Sequence, residues 1–271
     1  MTYFGFLIRF LGIPIVILGI VTWLDYRRGK PIPTNFRAWP VWAGILLHVV
    51  VAVVYTTPWD NYLVATGVWY YDPKLVTGIV LGWVPIEEYT FFVVQTFMAG
   101  LWIVFLMRRL PVDPDPPPLQ RHWRIIPVVL LGIIWAGSAV LLVSGWPPGT
   151  YLGLTLVWAL PPIMLQFGFG GDILRRYGRL VLLSIVSLTL YLSLADFLAI
   201  GSGTWEINPA RSLHWLVGGV LPFEEIVFFL VTNTLVTLGL VLVLAQESHQ
   251  RFHQIAQWIK SRGRAQAGEK A

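Results

Sequence analysis

The chain has 271 residues, 56% of them hydrophobic and only 12% charged, with a formal charge of +5 and no cysteine. A soluble domain carries roughly 25% charged residues, so a water-facing globular protein is excluded, as are disulfides and thiolate metal sites. The basic excess would suit nucleic acid, but its placement along the chain assigns it to a membrane.

Seven apolar runs approach the ~20 residues that cross a ~30 Å hydrocarbon core. They are Tyr3–Leu24, Ala38–Thr57, Pro85–Met107, Ile125–Val143, Tyr151–Phe169, Leu180–Ile200 and Pro222–Ala245. The first is too long for a signal-peptide core and lacks a small-residue cleavage site, so it is expected to be a retained helix. Ahead of the third, the apolar stretch Leu75–Val84 reads as a re-entrant segment or as an extension of that helix bent at Pro85. The fifth contains Pro161-Pro162, which removes backbone donors and is expected to kink or break it. Beyond the seventh, Phe252, Ile255, Trp258 and Ile259 recur at helical spacing among basic residues, the pattern of a helix lying on a membrane surface. His249 and His253 are four apart there, but no third ligand is near, so they read as a solvated polar face and no metal site is expected. His48 and His214 receive no role.

Charge gives an independent test of this topology. The connections after spans one, three and five hold Arg27, Arg28, Lys30, Arg37, Arg108, Arg109, Arg121, Arg124, Arg175, Arg176 and Arg179. The tail adds Arg251, Lys260, Arg262, Arg264 and Lys270. The opposite loops hold Lys74 and Arg211, while Arg9 snorkels near the end of span one. Sixteen basic residues against two predict a multi-pass cell-membrane protein with its N-terminus outside and its C-terminus cytoplasmic.

The chain also repeats itself. Trp59-Asp60-Asn61-Tyr62-Leu63, Gly67-Val68-Trp69 and Pro85-Ile86-Glu87-Glu88-Tyr89-Thr90-Phe91-Phe92 return as Ala195-Asp196-Phe197-Leu198, Gly203-Thr204-Trp205 and Pro222-Phe223-Glu224-Glu225-Ile226-Val227-Phe228-Phe229. The offset is 136 at Asp60 and Trp69 and 137 at Pro85, half the chain. Spans one to three therefore match five to seven, and span four is an unpaired linker. The expected fold is an all-α membrane protein of about seven helices, built as two parallel three-helix repeats joined by a linker helix. Its parts are a first repeat (1–108), a linker with the fourth helix (109–145), a second repeat (146–246) and a basic tail (247–271). A pseudo-twofold axis along the membrane normal would put Asp60, Glu87 and Glu88 at the depth of Asp196, Glu224 and Glu225, near the repeat interface.

Two readings of the Pro-x-Glu-Glu motifs compete. In one they are helix starts: proline suits the first helical position, and glutamates in the first turn suit the helix dipole. Neither Val84 nor Leu221 can cap with its side chain, so a glutamate would take over that job. Against this, a lone cap needs no pair of acids, twice, bordering hydrocarbon where a charge costs at least ~2.5–3.5 kcal/mol. In the other reading the acids do chemistry. A carboxyl group desolvated beside others holds its proton near neutrality and acts as a general acid while a neighbour acts as base. Each glutamate has a phenylalanine four residues on (Phe91, Phe92, Phe228, Phe229), on the same helix face. Aromatic faces stabilise cations in dry sites by about 2 kcal/mol or more, although phenylalanine alone would equally serve packing. Acid and rings together suit protonation of an alkene and shelter of the carbocation.

Other chemistries are disfavoured. No lysine lies inside a span, which excludes a retinal Schiff base; Gly168-Phe169-Gly170-Gly171 opens no βαβ unit; and no paired Asp-rich motif is present to chelate Mg²⁺-diphosphate.

Thr57-Pro58-Trp59-Asp60-Asn61-Tyr62, Gly67-Val68-Trp69, Pro85-Ile86-Glu87-Glu88-Tyr89 and Leu221-Pro222-Phe223-Glu224-Glu225, followed by Phe228-Phe229 and Thr232-Asn233, resemble the carotenoid lycopene cyclases of the heterodimeric and fused membrane type. The resemblance covers both repeats. It departs in having Phe223 where the first repeat has Ile86, and in lacking a tryptophan before Asp196. It implies a lycopene β-cyclase in carotenoid biosynthesis, an isomerase that needs no cofactor, acting on lycopene or a related acyclic carotenoid. Glu87, Glu88, Glu224 and Glu225 are then the catalytic candidates. Asp60, Asp196, Trp59, Trp69, Trp205, Phe91, Phe92, Phe228 and Phe229 are the substrate-binding candidates. The expected partners are the substrate and the bilayer, with association with other carotenoid enzymes and no nucleic acid. Two alternatives remain open at this point: a carotenoid hydratase, in which water captures the same cation, and a small-solute transporter with parallel repeats.

Overall fold

The structure, a computed structural model, describes residues 1–113 and 118–268. Lys270 and the remaining parts of the 109–145 linker and 247–271 tail lie outside the described residues. Among the described residues seven helices are long and apolar enough to cross a membrane. They are α1 (Tyr3–Arg27), α2 (Val41–Ala65), α3 (Ile86–Met107), α4 (His122–Val143), α5 (Thr150–Arg176), α6 (Gly178–Gly201) and α7 (Phe223–Leu244). An eighth helix, α8 (Gln246–Gly268), follows and exposes Phe252, Ile255, Trp258 and Ile259. Between the helices lie six short strands: β1 (Trp69–Tyr71), β2 (Val80–Leu81), β3 (Val84–Pro85), β4 (Trp205–Ile207), β5 (Leu216–Val217) and β6 (Leu221–Pro222).

Helices α3 and α7, which begin at the two Pro-x-Glu-Glu motifs, form the centre. Their apolar windows are 56% and 61% buried, against 17% for α1 and α2 and 6% for α4. They pack on each other, and each takes a neighbour from the other half, α2 against α7 and α6 against α3. The linker helix α4 lies along α5 at the outside.

Four sequence expectations change. First, α2 runs past Thr57 to Ala65 with Pro58 inside it, so Trp59 and Asp60 are helical residues. Second, Leu75–Val84 is not an extension of the third helix. It is a loop closed by the β2–β3 hairpin, turned at Gly82 (φ +70°), and the second repeat has the same device in β5–β6. Two residues separate β2 from β3 but three separate β5 from β6, which is where the offset changes from 136 to 137. Third, Pro85 and Pro222 precede the first turns rather than opening them, with ψ of 151° and 138°. The first helical N–H groups bond to the hairpins instead, Ile86 to Ile79 O (2.9 Å) and Phe223 to Trp215 O (2.8 Å).

Fourth, α5 continues through Pro161-Pro162 and departs from helical geometry only at Gly170 (φ −144°). A proline inside a helix frees the carbonyl four residues back, and in hydrocarbon that group needs a partner. Pro161 frees Val157 O, which accepts from Trp135 Nε1–H (3.2 Å). Pro162 frees Trp158 O, which accepts from the Tyr55 hydroxyl (2.8 Å). The same arrangement holds across the molecule: Pro14 frees Phe10 O, which accepts from the Tyr191 hydroxyl (2.9 Å), beside a π-helical turn at Ile8–Gly12. Tyr55 and Tyr191 are 136 apart. Each tyrosine thus sits on the second helix of one half and repairs the first helix of the other.

The basic ends are tied by ion pairs. Arg109 binds Asp25 (2.9 Å), Arg251 binds Asp172 (2.6 Å) and Arg176 binds Glu247 (3.0 Å). These join α1 to the end of α3, and α5 to α8.

Candidate active site

At the other end of the bundle, β1 and β4 pair antiparallel, with Trp69 opposite Ile207, Tyr70 opposite Glu206 and Tyr71 opposite Trp205. These strands follow Gly67 and Gly203, whose φ values of +68° and +70° let the chain leave α2 and α6 and turn inward. Trp69 and Trp205 are equivalent in the repeat, so the pairing clamps the same segment of both halves across one small cavity.

Ten side chains line that cavity: Tyr3, Trp69, Tyr71, Glu88, Phe91, Asp196, Trp205, Glu225, Phe228 and Phe229. Every polar group among them is an acid, a phenol or an indole, and among the described residues no cationic side chain faces it. Glu88, Glu225 and Asp196 are all buried, with Asp196 only 1% exposed. The Tyr151 hydroxyl donates to Glu225 Oε1 (2.8 Å), and Trp205 Nε1–H donates to Asp196 Oδ1 (2.9 Å). By contrast, Glu88 Oε2 has no hydrogen-bond partner among the described residues. The open space is about 30 Å³, far below the ~300–1,000 Å³ of most ligand pockets.

The four motif glutamates separate into two kinds. Glu88 and Glu225 face the cavity. Glu87 Oε1 instead accepts from the Thr77 N–H (2.6 Å), and Glu224 Oε1 accepts from the Leu213 N–H (2.6 Å). Thr77 and Leu213 are 136 apart, so the first glutamate of each motif anchors the loop before its hairpin rather than capping its own helix. Helix geometry dictates the split, because adjacent residues point about 100° apart and cannot share a target.

The remaining candidates divide similarly. Trp69, Trp205, Phe91, Phe228 and Phe229 face the cavity with Asp196. Asp60 is fully buried behind it, with neither carboxyl oxygen partnered among the described residues. Trp59 lies between two stacked rings, Trp158 (centroids 4.4 Å) and Phe228 (5.7 Å). Phe92 turns away from the cavity into a groove between α2 and α5.

Three tyrosines escaped the sequence reading. Tyr3 stacks against Tyr71 (6.1 Å) and Trp205 (4.8 Å). Burial, with Asp60 and Glu225 nearby, pushes the Tyr71 hydroxyl well above its usual range, so it remains a neutral dipole at any physiological pH. Tyr151 holds Glu225. One signal was present: Tyr3 and Tyr151 precede Pro14 and Pro162 by the same eleven residues, marking equivalent starts of the first helix in each repeat.

The Lycopene cyclase family model matches residues 33–106 and 148–247. The interval between the two blocks contains α4. A lycopene beta-cyclase of Halobacterium salinarum is 38% identical over 241 residues, 89% of this chain and 95% of that protein. A bifunctional lycopene cyclase/phytoene synthase of Podospora anserina is 37% identical over 202 residues, 72% of this chain and 34% of the fungal protein. Its counterpart in Aspergillus niger is 36% identical over 204 residues, with 73% and 34% covered. No solved structure matches. With both repeats matched and the acidic cavity falling between them, the chain belongs to the lycopene cyclase family.

Proposed function

We propose that this membrane enzyme is a lycopene β-cyclase, an isomerase that closes the acyclic ends of lycopene into β-ionone rings by acid catalysis. The observation that carries the reading is the meeting of Glu88 with Glu225 and Asp196 in one aromatic-walled cavity without a cationic side chain. The relatives named for this activity favour it over hydration or transport.

Glu88 is the proton donor in this reading, because Trp205 and Tyr151 hold the other two cavity acids, Asp196 and Glu225, whereas Glu88 Oε2 has no partner among the described residues. Its proton goes to the terminal carbon–carbon double bond and leaves a tertiary cation. The internal alkene attacks that cation, forming the ring bond and moving the positive charge onto a ring carbon. Phe91, Phe228, Phe229, Trp69 and Trp205 wall the cavity and stabilise these cations through their π faces. Loss of one ring proton restores a double bond. One proton enters and one leaves, so the product is an isomer of the substrate.

Glu225 and Asp196 serve as the base. Both line the cavity with Glu88, so one of them takes the ring proton and a proton returns to Glu88 before the next turnover. Tyr151 fixes the position of Glu225.

The same reading extends to the whole chain. The halves are parallel repeats about a pseudo-twofold axis along the membrane normal. The symmetric register of β1 with β4 and the exchanged Tyr55 and Tyr191 bonds support this. The divisions 1–108, 109–145, 146–246 and 247–271 follow from it. The basic end is cytoplasmic, which puts the N-terminus outside and the cavity toward the outer leaflet.

Expression in lycopene-producing cells, followed by pigment chromatography, tests the proposal. A new peak of unchanged mass should appear as lycopene falls. Unconverted lycopene beside well-expressed membrane protein would overturn it.

A further inference from the structure

The cavity has no room for the substrate's long hydrocarbon chain, which must lie elsewhere on the protein. Two apolar grooves flank the central helices. One, of about 250 Å³, runs between α2 and α5 over α3 and α7. The other, about 360 Å³, runs between α1 and α6. They occupy related places in the two halves: Tyr55 and Pro162 line the first, Tyr191 and Pro14 the second.

Only the first connects to the acids. Phe228 lines both the α2–α5 groove and the cavity, whereas no residue of the α1–α6 groove lines the cavity. Trp158, in the groove wall, stacks on Trp59, which stacks on Phe228. Trp158, Trp59 and Phe228 thus form a stack of rings that runs from the groove wall to the cavity lining. The two grooves also differ on their floors. Gly239 corresponds to Trp102 in the repeat, at the offset of 137. A Cβ at Gly239 would collide with His48 and Gln166, so the glycine leaves room for those two side chains beside the first groove, while the Trp102 indole lines the other and bonds to Ser187 Oγ (2.8 Å).

Resting on the cyclase reading, we infer that the α2–α5 groove is the binding site for the polyene chain, which enters from the bilayer and reaches the acids past Trp59 and Phe228. From Phe228 to Val243 the groove follows α7 for about 22 Å, at about 1.5 Å of rise per residue. That shape suits an extended, rod-like hydrocarbon lying across the leaflets. Its lining is aliphatic and aromatic around a few shielded polar groups, and its end at Phe228 aims the chain terminus at Glu88. The α1–α6 groove is left to lipid.

Bulk placed in each groove tests this. Ala52 lines the α2–α5 groove and Ile17 the other. The full-length protein, as Ala52→Val, Ala52→Leu, Ala52→Trp or Ile17→Trp, is expressed in lycopene-producing cells. Conversion is read by chromatography, and carotenoid retained per purified protein is read in a Glu88→Gln background. Conversion and retention should fall together as residue 52 grows, by about tenfold at Trp, the cost of overpacking a fitted site. Ile17→Trp should leave both within about twofold. If Ala52→Trp is absent from the membrane, the Leu variant carries the comparison. Normal conversion and retention across the Ala52 series, or equal losses at Ile17, would overturn the assignment and make both grooves lipid contacts. Retained lycopene without cyclisation by the unmodified protein would instead refute the reaction and keep the groove.

Discussion

Adjacent glutamates in one motif perform different tasks here, and an amide substitution separates them. Gln can still accept a backbone hydrogen bond through its oxygen, but it cannot release a proton to an alkene. Glu87→Gln should therefore keep the bond from the Thr77 N–H and most of the activity. Glu88→Gln should lose general acid catalysis, a factor of about 10²–10⁴, while the protein stays in the membrane. Conversion per unit of membrane protein distinguishes them, and similar losses at both positions would refute the division of roles. The motif itself was visible in the sequence as an acidic pair repeated at half the chain length. Which member faces the cavity was not visible, because the loop whose Thr77 N–H binds Glu87 was read as a re-entrant segment or an extension of the third helix. A two-residue strand with a glycine turn leaves no hydrophobic period to detect.

Helices in this protein carry prolines that their own backbones cannot compensate. Tyr55 and Tyr191 supply the missing donors from a neighbouring helix, and water is scarce where they do so. Tyr55→Phe and Tyr191→Phe should each lower stability by about 0.5–2 kcal/mol, the range for interhelical hydrogen bonds in membranes and for orphaned carbonyls. Because the two bonds lie in different grooves, the double variant should show the sum of the single effects. Thermal unfolding in detergent reads this, and unchanged midpoints for both variants would show that the freed carbonyls are satisfied some other way. The helices themselves were legible from hydropathy alone, and so was the chemical problem posed by Pro161-Pro162. Its solution was not, since Tyr55 and Trp158 are 103 residues apart and no local pattern links them. The same limit hid Tyr151, whose partner Glu225 is 74 residues away.

The whole molecule places its chemistry where two halves meet. Glu88 and Phe91 come from the first half; Asp196, Glu225, Phe228 and Phe229 come from the second. The β1–β4 pairing and the exchanged tyrosines bind the halves to each other, while the covalent connection between them runs through α4, which lies against α5. Repeat spacing had put the two motifs at one depth, and that inference needed only the offset and the parity of the spans. It follows that the covalent connection is not needed to build the cavity. Cutting the chain between residues 112 and 118 should give two membrane fragments, of three and four spans, each with its basic segments left to orient it. Neither fragment alone should convert lycopene, since each lacks an acid and half the aromatic wall. Expressed together they should recover conversion, because the buried α2–α7 and α3–α6 contacts and the strand pair remain available. Pigment chromatography of cells carrying one or both fragments measures this. Activity from either fragment alone would mean that a single half contains the complete acid–base site, and the shared cavity would then have to be abandoned.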